Sequence, residues 1–192
     1  MIFSVRRLSD ASEQELTDAF FQADDWRKDQ VLQLRMPIAQ KQCLLGDALA
    51  RSLLKQVCPG RTLQFSRDEN AKPYLLGGPH FNISHSGEHV LCAVDESPVG
   101  ADIEEFRSVN ENLIRKVCTE NELEWIAGSR ERFLQVWTAK EAYLKYLGVG
   151  LRMPLREVSV IAQNALHIDG LELFSKLTDC YAMSIVYEKR HL

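Results

Sequence analysis

The sequence predicts an α+β fold built as two similar halves. Two observations carry that reading. Segments of helical period alternate along the chain with short β-branched ones, and a strand, a long helix and paired strands before residue 98 are followed by helices and paired strands after it. With 45% hydrophobic and 26% charged residues, the 192-residue chain has the composition of an ordinary globular protein, long enough for one sizeable core or two small ones. No residue-level repeat accompanies the shared order. The pseudo-twofold relation of halves 1–98 and 99–192 therefore rests on element order alone.

Ile2-Phe-Ser-Val5 reads as a short strand and the acidic stretch from Asp10 to Asp25 as helical. From Pro37 to Val57 the apolar residues Ile38, Leu44, Leu45, Ala48, Leu49 and Leu53 recur at helical intervals. Pro37 suits a first turn, and Cys58-Pro-Gly60 ends the helix. Leu63 and Phe65 alternate with polar neighbours as a strand, after which Asn70-Ala-Lys-Pro73 and Gly77-Gly-Pro79 punctuate a loop-rich passage. His89 to Val94 is a strand, Asp95-Glu-Ser-Pro98 a turn, and Val99 to Glu104 the returning strand. Helices near Glu120–Ala127 and Arg130–Leu147 follow, then strands near Val158–Ile161 and Tyr181–Tyr187.

Composition narrows the function. A formal net charge of -4 gives no overall field for nucleic acid. The start, Met1-Ile-Phe-Ser-Val-Arg-Arg, has no long apolar signal core, and no apolar run of about 20 residues occurs, so a cytoplasmic chain without a membrane anchor is expected. Five scattered cysteines, Cys43, Cys58, Cys92, Cys118 and Cys180, fit neither a disulfide framework nor a thiolate metal site and read as reduced, mostly packed thiols.

Two features point to chemistry. On the strand Val99 to Glu104, side chains alternate, so Asp102 and Glu104 share a face with Gly100, while Val99, Ala101 and Ile103 share the other. Like charges so placed repel, which a bound cation or nearby ammonium group relieves; a half-buried strand with its polar face in water explains the pattern equally. On the helix from Arg130 to Leu147, Phe133, Val136, Trp137, Leu144 and Leu147 form an apolar stripe with Lys140 near its centre, Glu141 at its edge and Lys145 at its flank. A lysine there requires a compensating charge or a polar cavity, unless it snorkels to solvent. His85 and His89 have metal-like spacing only on a helix, which Gly87 and the strand beginning at His89 oppose. Ser84 and His85 are adjacent on extended chain and point apart, so they do not form a nucleophile pair.

Taken together, Phe81-Asn-Ile-Ser-His-Ser-Gly87, Val99-Gly-Ala-Asp-Ile-Glu104 and Trp137-Thr-Ala-Lys-Glu-Ala-Tyr-Leu-Lys145 resemble the ordered motif set of the phosphopantetheinyl transferases, in their monomeric, surfactin-synthetase-activating type. Leu44-Leu-Gly-Asp47, Ala71-Lys-Pro73 and Gly148-Val-Gly-Leu151 extend the resemblance, which covers about Arg27 to Leu155. Gln42 stands where an arginine is frequent, with Lys41 beside it, and Cys118 replaces the usual phenylalanine of the segment ending in Glu122.

The resemblance implies a monomer of two α+β halves related by a pseudo-twofold axis, with coenzyme A in the cleft between them. It implies transfer of the 4'-phosphopantetheine arm from coenzyme A to a serine of an apo acyl or peptidyl carrier protein, with release of 3',5'-ADP. Asp102, Glu104 and Glu141 would hold Mg2+, and Lys145 would face the leaving phosphate. Lys140 would support the carboxylates or a phosphate oxygen, and Glu122 is a candidate proton acceptor beside Glu141 or a water. Ser84 and His85 would grip the 3'-phosphate and adenine end, with Arg27, Lys41 and Lys72 as further phosphate or nucleotide contacts. Two other readings use the same residues: a Mg2+-dependent phosphodiesterase or nucleotide hydrolase, and a catalytically silent carrier-binding module.

Overall fold

A computed structural model describes residues 1–106, 110–149 and 153–189. The chain is α+β and divides into two compact units, Met1–Glu96 and Ser97–Leu192.

In the first unit, β1 (Ile2–Arg7), β4 (His80–Ser86) and β5 (His89–Asp95) form an antiparallel sheet in the order β1-β5-β4. Every residue of the central strand β5 is buried, which is why it reads as a continuous apolar run. Between β1 and β4 the chain makes α1 (Glu13–Gln22), α2 (Asp25–Gln33), α3 (Pro37–Val57) and a two-stranded ribbon of β2 (Phe65–Arg67) and β3 (Pro73–Leu75). Ser12 caps α1 by accepting a hydrogen bond from the Glu15 amide at 3.1 Å, and Pro37 opens α3. The inward face of α3, including Leu45, Leu49, Leu53 and Leu54, closes one core with Phe65, Phe81, Val90 and Val94.

In the second unit, β6 (Val99–Glu105), β9 (Leu171–Leu177) and β10 (Tyr181–Glu188) form an antiparallel sheet in the order β6-β10-β9. Before β9 come α4 (Glu111–Val117), α5 (Glu120–Ile126), α6 (Arg130–Leu147) and the short ribbon of β7 (Ile161–Ala162) and β8 (Ala165–Leu166). The helix α6 runs from a Ser129 cap to Gly148, whose φ of 70° is the left-handed conformation glycine adopts freely. Phe133, Leu134, Val136, Ala142 and Leu144 of α6 join Ala182 and Val186 of β10 in a second core.

Two predicted strands shrink. The strand around Leu63 begins only at Phe65, because the Leu63 carbonyl accepts from Arg51 Nη1 at 2.7 Å. Of Val158–Ile161, only Ile161 is in a strand; a 3-10 turn at Leu155–Glu157 precedes it, and the Val160 amide donates to the Glu122 carboxylate at 3.0 Å. Gly150 and Leu151 of the motif that follows α6 lie outside the described residues.

Candidate active site

At Asp102 the acidic strand face is covered, while Glu104 is half-buried. The face lies under α6, and Gly100 permits the close approach: a Cβ there would stand 2.0 Å from the Ala142 carbonyl oxygen and 2.3 Å from the Tyr146 nitrogen. One step along, Ser184 of β10 is the register partner of Asp102, and its hydroxyl hydrogen-bonds that of Thr138 on α6 at 2.8 Å. Glycine and hydroxyl contacts thus fix the helix over the strand at two points. Asp102 is only 4% exposed as a result.

Glu141 and Lys145, one helical turn apart, meet this face. Lys145 Nζ donates to Asp102 Oδ1 at 2.6 Å. Burial, followed by the charge of Asp102 and more weakly Glu104, lifts the Glu141 carboxyl above the usual range, with Lys145 opposing. Asp102, Glu104, Glu141 and Lys145 therefore form one electrostatic group. The oxygen donors are of the kind magnesium takes. Among the described residues, no three His, Cys, Asp or Glu side chains are drawn together as a ready metal-ligand set.

The raised carboxyl sets a pH dependence. Because Glu141 binds its proton more tightly folded than unfolded, the folded state carries the extra proton, and this group's contribution falls as pH rises through the window above the ordinary carboxylate value. At neutral pH its ionised form is a cost. Glu141→Gln should melt at or above the wild-type temperature in chelator-treated buffer, with the difference shrinking as pH falls through that window; thermal melts across pH check both.

Glu122 and Lys140 pair with each other, away from this group. Their side chains are fully buried and pair at 2.6 Å. Lys140 Nζ also donates to the Val117 and Leu155 carbonyls, each at 2.8 Å. The Glu122 carboxylate accepts from the Thr119 amide at 2.7 Å, closing a capping box at the start of α5, and from the Val160 amide. As folded, Glu122 has no surface to offer a serine hydroxyl, and Lys140 lies on its partner rather than on the acidic group. The pair fixes α6 against α5 and the 155–160 segment. Its electrostatics reach Cys118, whose thiol burial pushes up to about 11, with Lys140 opposing.

In the first unit, Arg27, Gln30, Gln42, Cys43, Pro73 and His85 line a cavity of about 230 Å3. Arg27 is held on several sides: Nε on Asp47 Oδ1 at 3.3 Å, Nη1 on Gln30 Oε1 at 2.6 Å, and the guanidinium 4.4 Å from the Trp26 ring. Asp47 is 1% exposed and gives its other oxygen to Arg51 Nε at 2.6 Å, and Arg51 in turn holds Asp24 at 2.6 Å. Gln42 donates to the Gly87 carbonyl at 2.8 Å, tying α3 to the turn after His85.

Sequence reasoning placed Arg27 and His85 in one site, and they share this cavity. Lys72 precedes Pro73 of its lining, and its amide donates to Asp68 at 2.8 Å. Ser84 is buried in β4 and is not among the lining residues, consistent with the alternation that turns its neighbour His85 outward. Lys41 stands apart from the cavity, its ammonium 2.9 Å from Glu13 of α1. The close approach at Gly100 and the pairing of Asp47 with Arg27 and Arg51 were not read from the sequence; the Gly-x-Asp spacing and the Asp-Arg pair four apart on α3 were the available signals.

Residues 98–184 match the sequence profile of the 4'-phosphopantetheinyl transferase superfamily. The chain is 37% identical over 119 residues to the 4'-phosphopantetheinyl transferase gsp of Aneurinibacillus migulanus, covering 58% of this chain and 50% of that protein. It is 35% identical over 150 residues to the 4'-phosphopantetheinyl transferase Sfp of Bacillus subtilis (strain 168), and 34% identical over 150 residues to the 4'-phosphopantetheinyl transferase ffp of Bacillus subtilis. Each of those two matches covers 72% of this chain and 65% of the relative. The matched region thus spans between half and just under two thirds of the length of these relatives. Among the described residues, no helix is long and apolar enough to cross a membrane.

Proposed function

We propose that the chain, whose residues 98–184 match the 4'-phosphopantetheinyl transferase superfamily, moves the phosphopantetheine arm of coenzyme A onto a serine of an apo acyl or peptidyl carrier protein. The observation that carries this reading is the electrostatic group of Asp102, Glu104, Glu141 and Lys145, assembled from the two motifs that lie in the matched region.

Asp102, Glu104 and Glu141 would hold Mg2+, which when bound supplies charge neutralisation at the coenzyme's pyrophosphate. The serine oxygen attacks the phosphorus bearing the pantetheine arm, the bridging P–O bond breaks, and 3',5'-ADP leaves with the electron pair. Glu141 is our acceptor for the serine proton. Lys145 places positive charge against the pyrophosphate. The cavity of Arg27 and His85, with Lys72 beside it, is our site for the nucleotide end. The two units as pseudo-twofold halves, a cytoplasmic setting and a monomeric state complete the proposal.

Glu141→Gln tests it. Transfer should fall by about two orders of magnitude or more, as removal of a group acting only in the transition state does, while the folded state stays at least as stable. Carrier loading by chromatography, measured beside the thermal melt, checks both, and retained transfer would remove Glu141 from the mechanism. Arg27→Gln should instead raise KM for coenzyme A by about tenfold with kcat little changed, the pattern of a lost binding contact. Steady-state kinetics separate the two.

A further inference from the structure

Lys145 and Asp102 are unequal partners. Asp102 is held in β6 beneath α6, its side chain only 6% exposed, whereas the Lys145 side chain is 29% exposed at the end of a flexible four-carbon stem. The ammonium therefore sits on the solvent side of the pair. One mobile positive charge thus compensates a buried carboxylate that is itself a proposed metal ligand.

We infer that Lys145 is an internal counter-ion that competes with a divalent cation for Asp102, so that the acidic group takes a metal weakly by itself and well only when an anionic phosphate draws the ammonium away. This deepens the proposed function and rests on its metal site. Two cations in contact with one carboxylate repel each other, and in partly buried surroundings that repulsion is felt more strongly than in water. The lysine leaves by rotation of its own stem, with no movement of β6. Once displaced it remains tethered one turn from Glu141. Metal and coenzyme would then bind with positive coupling, carried by one side chain.

Mn2+ titration followed by electron paramagnetic resonance of the free ion tests this on the full chain without coenzyme. Lys145→Met should bind Mn2+ about tenfold more tightly than wild type, Lys145→Arg should bind like wild type, and Asp102→Asn should lose most of the affinity. Adding coenzyme A should tighten Mn2+ binding strongly in wild type and less in Lys145→Met. If Asp102→Asn weakens Mn2+ binding but Lys145→Met does not tighten it, the counter-ion inference is overturned and the metal site stands. If Asp102→Asn binds Mn2+ as wild type does, the metal site itself fails and the inference with it. Lys145→Gln serves as the charge-removing variant should the methionine protein not fold.

Discussion

Gly100→Ala should cost about 3 kcal/mol or more of stability, at or beyond the upper end of the range for core overpacking. The added Cβ would meet main-chain atoms of α6, the Ala142 oxygen at 2.0 Å and the Tyr146 nitrogen at 2.3 Å, and a helix backbone has no rotamer to move into. The helix must rise from β6 or the unit must unfold. Either outcome separates Glu141 and Lys145 from Asp102, so surviving protein should transfer poorly even where folded. Gly46→Ala is the control: its Cβ would meet the Ile83 Cγ2 methyl at 2.8 Å, a side chain and not the main chain of a helix, and the loss should be smaller. Urea midpoints of the two variants decide it; equal, small losses would contradict the close-approach account.

Lys140→Met should destabilise by about 3–5 kcal/mol, because it leaves the Glu122 carboxylate buried with its countercharge gone. Glu122→Gln in the same chain should recover much of that loss. The amide is neutral and still offers an oxygen to the Val160 or Thr119 amide, both of which bond Glu122 now. A double-mutant cycle by denaturant unfolding measures the coupling. Lys140→Met folding normally while KM for coenzyme A rises would return Lys140 to the phosphate role expected from sequence.

The long helices were legible because α3 and α6 carry sustained apolar periods and clear terminal signals in Pro37, Ser129 and Gly148. The strands β5 and β6 were legible as a β-branched run and an alternating one. What local pattern could not supply was which polar groups meet across long sequence separations. Lys140 at the centre of an apolar stripe signalled a compensating charge, yet nothing local identified Glu122, eighteen positions earlier, as that charge. The Asp102 and Glu104 face was read as open to water or metal, and Gly100 on that same face was the unused clue that a helix lies against it. Leu63 and Val158 looked strand-like, but the segments' hydrogen bonds go to Arg51 and Glu122 instead of to a neighbouring strand.

Intact-protein mass spectrometry is the decisive test of phosphopantetheine transfer to a carrier serine. The full chain is incubated with coenzyme A, Mg2+ and a panel of apo acyl and peptidyl carrier proteins, beside Glu141→Gln as a blank. At least one carrier should gain the mass of a single phosphopantetheine group on serine, 3',5'-ADP should appear in equal amount, and the variant should yield neither. Carriers left unmodified while coenzyme A is hydrolysed would contradict transfer in favour of a phosphodiesterase, and carriers bound but unmodified with coenzyme A intact would contradict it in favour of a silent binding module.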